Sequence, residues 1–186
     1  MGKFLTELNE ELVHFIHKQH MFFTATAPSN QGRINLSPKG YDCLKIINTK
    51  SIIYLDYAGS GNETANHIKD NQKITLMWNS FDQKPLILRI YGYGEVIEKH
   101  TENYLTLMEE YYPEIDPNSA RQIFRIRIEA VQTSCGYGVP LMDYNEDRDV
   151  MMKWTNTKVS QGKLDEYIDK HGARLDEKHP INNNDI

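Results

Sequence analysis

The chain has 186 residues, enough for one domain with a full hydrophobic core. Its 26 acidic residues outnumber 21 basic ones, which argues against nucleic acid or an anionic membrane as principal partner, since either wants a basic face. The 39% apolar and 25% charged fractions are those of an ordinary globular protein, and the longest apolar runs, such as SIIYL and PLIL, fall far short of a bilayer span.

At the N-terminus, Phe4, Leu5, Leu8, Leu12, Phe15 and Ile16 recur at helical spacing and predict an amphipathic helix over 4–19. MGKFLTELNEELVHFI lacks the basic-then-apolar layout of a signal peptide, so a cytoplasmic location is expected. His14, His17 and His20 recur every three residues, but without an H-E-x-x-H pattern they read as solvated or capping groups, and no metal is expected. MFFTATA (21–27) and RINLS (33–37) read as strands around the loop 28–32, and LKII (44–47) and SIIYLDY (51–57) as a further hairpin. Cys43 and Cys135 lie far apart with no C-x-x-C spacing and are expected as reduced thiols.

DYAGSGNETANH follows SIIYL and leads into HIKDN, giving strand, Gly-Ser-Gly-Asn turn, then helix. Ser60 and Glu63 match a capping box, in which hydroxyl and carboxylate satisfy the first helical donors reciprocally. The competing reading is an anion nest built from the Gly59 to Thr64 amides and the Ser60 and Thr64 hydroxyls. That stretch contains no lysine or arginine, so positive charge must come from elsewhere. Lys39 in NLSPKG and Arg89 in LILRIYG are the candidates.

ITLMWN (74–79) and LILRIYGYGEVIEK (86–99) read as strands, with Gly92 and Gly94 marking a bend or bulge. TENYLTLMEEYY (101–112) is a helix with Thr101 as N-cap, ended by Pro113. IFRIRIEAV (123–131) alternates without error, and a last helical region, 148–171, is expected to break at Gly162. Tyr91, Tyr93 and Tyr137 are candidate pocket or interface rings. Many short strands with few helices favour a small antiparallel barrel over a doubly wound sheet. Residues 1–172 are read as one domain and 173–186 as a polar, disordered tail.

The ordered set RINLSPKG, SIIYLDYAGSGNETANHIKDN, LILRIYGYGEV and SCGYGVP resembles the pyridoxamine 5′-phosphate oxidase-like flavoproteins of the FMN-binding split-barrel superfamily, over residues 15–140. The resemblance implies a mainly β fold with peripheral helices, a six-stranded antiparallel split barrel. It also implies a homodimer with FMN in interface clefts and a small-molecule substrate. By position, the flavin ring would lie along Asn35, Leu36 and Ser37, with the phosphate near Lys39. Tyr57, Ala58, Gly59, Ser60, Asn62, Glu63 and Thr64 match the phosphate-side segment, and Arg89 the strand lining the cleft. Where the oxidase proper carries a Ser-Arg-Lys clamp, this chain reads Asn62-Glu63-Thr64, and the oxidase's C-terminal substrate motif has no match. The expectation is an FMN-dependent oxidoreductase transferring hydride to or from a small molecule or a nicotinamide, with substrate and catalytic residues unassigned. The alternative is a non-catalytic dimer holding flavin or another cofactor, including haem, for which His67 is the one histidine beside the cleft segment.

Overall fold

The computed structural model describes residues 2–179. The N-terminal half runs β1 (Phe4–Leu5), α1 (Glu10–His17), β2 (Phe22–Thr26), β3 (Asn35–Lys39), β4 (Leu44–Asn48), β5 (Ser51–Tyr57) and α2 (Glu63–Asn71). There follow β6 (Lys73–Asn79), β7 (Ile87–Glu98), α3 (Glu102–Tyr111), β8 (Ala120–Ser134), α4 (Val150–Ser160), α5 (Leu164–Lys170) and α6 (Leu175–Lys178). All pairings are antiparallel, in one open sheet ordered β3-β2-β6-β7-β8-β5-β4, with β1 added to β8. This is the split-barrel class of fold, with peripheral helices.

The expected six strands are eight. All seven runs read as strands do pair, and Phe4–Leu5 adds another by laddering onto Val131 and Gln132. The predicted helix over 4–19 therefore begins only at Glu10. Asn9 is the cause: its side chain accepts from the Leu12 amide and caps the helix there. Phe4 then stands 67% exposed instead of on a buried helical stripe. β3 begins two residues later than expected and takes in Pro38, whose missing N–H is tolerated because β3 is an edge strand.

The core follows the alternation in the sequence. On β8, Phe124, Ile126, Ile128 and Ala130 are buried, while Arg127 and Glu129 point to solvent. Phe124, Ile126 and Ile128 pack with Ile52 to Leu55 of β5, Leu76 and Trp78 of β6, and Leu88 and Ile90 of β7. Past a register shift, Ala130 sits opposite Tyr91 on the other face and Val131 takes the core position. Each such side chain contributes about 1.5–3 kcal/mol by leaving water.

Two glycines shape the sheet beside the site. The β7–β8 register shifts between Tyr91 and Gly92, and a Cβ at Gly92 would lie 2.4 Å from the Arg127 carbonyl oxygen. The bulge thus needs glycine. At Gly94 a Cβ would strike Ile68, so its absence lets α2 lie close against β7. Further on, Thr101 caps α3 by accepting from the Tyr104 amide, and the 148–171 region divides into α4 and α5 at Gly162, φ +63°. Of the stretch 173–186 expected to be disordered, residues 175–178 form α6; residues 180–186 lie outside the described residues. No helix among the described residues is long and apolar enough to cross a membrane.

Candidate functional site

Three segments meet at the N-terminal end of α2: the inner face of β3, the end of β5 with its glycine turn, and the start of β8. Antiparallel register places Asn35, Ser37 and Lys39 on the same face as Thr26, Thr24 and Phe22 of β2, pointing toward the barrel interior. Asn35 donates through Nδ2 to Thr64 Oγ1 at 3.0 Å and accepts at Oδ1 from Ser37 Oγ at 3.1 Å. This polar row joins β3 to the first turn of α2. Leu36, between them, projects to the outer face and is 65% exposed.

Lys39 reaches across to β5, where its Nζ lies 2.9 Å from Asp56 Oδ1. Asp56 is 2% exposed and its second oxygen accepts from Arg121 Nε and Nη2, at 3.1 and 2.9 Å, and from Gln122 Nε2 at 2.9 Å. Burial alone would raise the carboxyl's pKa, but Lys39 and Arg121 outweigh it and hold Asp56 below the ordinary carboxylate range. Arg121 also donates from Nη1 to the Gly61 carbonyl, and Gln122 to Asn62 Oδ1, both at 2.7 Å. The buried cluster therefore carries two cations against one anion and is bonded directly to the glycine turn.

Arg121 is the residue that the sequence reading missed. It sits at the head of β8, outside the alternating run at 123–131, and its burial on the Asp56 side follows only from the β5–β8 register. A charged residue flanking a perfect alternation is the only signal the sequence offers.

The glycine turn itself departs from the capping-box expectation. α2 is N-capped by Asn62, not Ser60, and makes no side-chain capping bond. Asn62 is diverted to Gln122, Ser60 is exposed, and the Glu63 carboxylate turns forward along the helix instead of back. The amides of Glu63, Thr64 and Ala65 thus have neither a carbonyl partner within the helix nor a capping side chain. A Cβ built at Gly59 or Gly61 would meet nothing within 4 Å, so the space above the turn is open. Ala58 is buried beneath it.

Tyr57 closes the β5 side. Its phenol is pushed up to about 12, first by burial and then by Cys43 and Tyr41, so it remains a neutral donor. A cavity of about 110 Å³ between Lys39, Asp56, Tyr57 and Met151 of α4 adjoins the cluster. Cys43, buried beside it, has a thiol pushed up to about 12 by desolvation, which leaves it un-nucleophilic.

Arg89 stands apart from this group. It is in register with Met77, Phe23 and Pro38, which puts it on the outer face, opposite to Lys39, where it donates to Ser134 Oγ at 3.1 Å. That outer face bears an open cleft of about 330 Å³ lined by Ala25, Thr75, Tyr91, Tyr93 and Glu129 among others. Ile34 and Leu36 stand exposed nearby, at 76% and 65%. Of the three N-terminal histidines, His14 and His17 lie in the last turn of α1 and His20 stacks on Tyr144 at 3.6 Å. Among the described residues no group of three or more His, Cys, Asp or Glu is placed to hold a metal.

The groups present fit a phosphorylated cofactor. Excess positive charge, three uncapped amides and a turn with no side chains in the way are what a phosphate needs, and the Asn35–Ser37 row offers hydrogen bonds to a ring. Flavin mononucleotide, if held here, would place its phosphate by Lys39 and the 59–64 amides.

Comparison with known proteins places the chain in a family. Residues 8–135 match the pyridoxamine 5′-phosphate oxidase family model. A pyridoxamine 5′-phosphate oxidase family protein of Aspergillus flavus, ustO, is 32% identical over 184 residues, covering 90% of this chain and 72% of that protein. Among solved structures, HupZ of Group A Streptococcus superposes with a TM-score of 0.54 at 20% identity, covering 67% of this chain and 91% of HupZ. A putative pyridoxamine 5′-phosphate oxidase of Lactobacillus delbrueckii superposes at 0.53 and 18% identity, covering 68% and 98%. These two structures are alike in fold, and the sequence matches carry the assignment further: the chain belongs to the pyridoxamine 5′-phosphate oxidase family.

Proposed function

We propose that this protein binds FMN, with the phosphate at Lys39 and the α2 amides and the ring along Asn35, Leu36 and Ser37. In this reading it works as an oxidoreductase, transferring hydride between the flavin and a small molecule or a nicotinamide. The flavin supplies the redox chemistry; the protein supplies position and charge. The observation that carries the proposal is the charge imbalance, Lys39 and Arg121 against Asp56, directly beneath a glycine turn with open space above it. Arg121 and Gln122 also bond to Asp56, which leaves Lys39, 21% exposed at its side chain, able to share its ammonium with a phosphate. The outer face, with Ile34, Leu36 and the Tyr91–Tyr93 cleft, is the surface we assign to a second copy of the chain, which would bring Arg89 toward its partner's cofactor.

One observation favours a second reading, a dimer that holds a cofactor without turning it over. The ionisable groups gathered at the site are bonded to one another: Asp56 to Lys39 and Arg121, and buried His67 to Thr26 and Glu63. Within that reading flavin is preferred to haem, because both ring nitrogens of His67 already have partners. Purified protein separates the two. Yellow protein whose absorbance bleaches with NADH or NADPH supports the oxidoreductase, yellow protein inert to both and to a panel of small-molecule reductants and oxidants supports the holder, and protein that ignores added FMN overturns both. Lys39→Ala should weaken FMN about 10- to 100-fold and leave riboflavin, which lacks the phosphate, little changed.

A further inference from the structure

Glu63 poses a problem at this site. It is the first residue of α2, and a carboxylate there would ordinarily reach back to the helix's leading amides and repel a phosphate approaching them. Instead it is held forward from two sides. One oxygen, Oε2, lies 3.5 Å from Nε2 of His67, one turn further along. His67 is 1% exposed and fixed in turn by Thr26, whose Oγ1 is 3.0 Å from its Nδ1. The other oxygen, Oε1, accepts from the backbone amide of Leu175 at the start of α6.

That amide is delivered by residues 172–179, which lie as a strap along α2 and the start of β3. Asn66 donates to the Gly172 carbonyl at 3.1 Å and Arg174 returns a bond to the Asn66 carbonyl at 3.2 Å, with Asp70 3.8 Å from its guanidinium. On the other side Asp176 takes both the Arg33 guanidinium and the Arg33 amide, and the His179 carbonyl takes the guanidinium as well. The strap is thus anchored on both flanks of Glu63, more than a hundred residues away in sequence.

We infer that the C-terminal strap and His67 form a positioning device that keeps the Glu63 carboxylate off the α2 N-terminus, and so opens those amides to the cofactor phosphate. The inference rests on the FMN reading above, and deepens it: Glu63, Leu175 and the strap anchors set affinity for the phosphate without touching it. The strap substitutes for the basic clamp by removing a negative charge from the phosphate's path.

The test is FMN and riboflavin affinity, read by flavin fluorescence, on the full-length chain and its variants. Arg174→Ala with Asp176→Ala frees the strap without altering any group that faces the phosphate. FMN affinity should fall about tenfold while riboflavin affinity holds. In the Glu63→Gln background the same pair should change FMN affinity by less than about twofold, because no charge is left to sequester. Equal FMN affinity with and without the strap anchors, or tighter binding once they are gone, overturns the inference; tighter binding would make the strap a shield. Glu63→Gln alone, in a chain with its strap intact, should gain less than about threefold, and a tenfold gain would show that the carboxylate was never held away. Failure of the unaltered chain to bind FMN overturns the FMN reading itself, whereas the outcomes just named overturn the device while FMN still binds.

Discussion

Two ionic clusters flank the start of α2, and they are built from the same bonds for different ends. Around Asp56, two cations and an amide converge on one carboxylate that is 2% exposed, so the charges have been taken out of water and each depends on the others. Around Asp176, a guanidinium and an amide converge on a carboxylate in the same way, but the side chains are 44% and 25% exposed. A buried carboxylate whose partners cannot be replaced by water holds structure; a pair that water can replace holds a segment loosely enough to be displaced. The first fixes the glycine turn, and the second only docks a strap.

The contrast breaks most severely at Asp56. Asp56→Ala leaves Lys39 and Arg121 facing each other without an anion and should cost about 3–5 kcal/mol in a denaturant melt. A cost near that of a surface pair would place water in the cluster. Lys39→Ala is the gentler cut, because Arg121 and Gln122 still satisfy Asp56; it should cost about 1–2 kcal/mol while the flavin titration falls as described above. Acid should reveal the same asymmetry. Asp56's folded pKa lies below its ordinary 3.8, so the unfolded chain binds more protons between the two values and stability rises with pH there. That stability is fully present above the ordinary value and is lost as pH falls through the folded one. A pH series of melts on Asp56→Asn should lose this part of the acid dependence. The smallest effect belongs to Asp176→Ala, about 0–1 kcal/mol in global stability, with faster amide exchange confined to 172–179. If it melts the whole domain, the strap is part of the core.

The sequence carried the sheet well and the site less well, for reasons visible in particular residues. SIIYLDY and IFRIRIEAV announce β5 and β8 because their burial alternates or runs unbroken within the strand, a local property. Thr101 and Gly162 were legible because capping and positive φ are also local. Phe4 and Leu5 misled because their spacing continues the α1 stripe, and only Asn9 interrupts it. Ser60 and Glu63 carry the pattern of a capping box that does not form, since Asn62 is claimed by Gln122 and Glu63 by His67 and Leu175. Those competitors lie tens of residues away, as does Arg121, and spacing along the chain records none of them.

The register of β8 has a consequence for how the chain acquires its structure. β8 is the shared neighbour of β1, β5 and β7, and its Val131–Gln132 end ladders onto a strand near the first residues of the chain. During synthesis nothing can bridge β7 and β5 until residue 134 has left the ribosome. β5 and β7 must wait until then with an unpaired edge each, and Asp56 must wait for Arg121. Folding dominated by such distant pairings is slow, in the range of about milliseconds to seconds. The nascent chain, ended before β8, is therefore the form most exposed to aggregation and most dependent on chaperones.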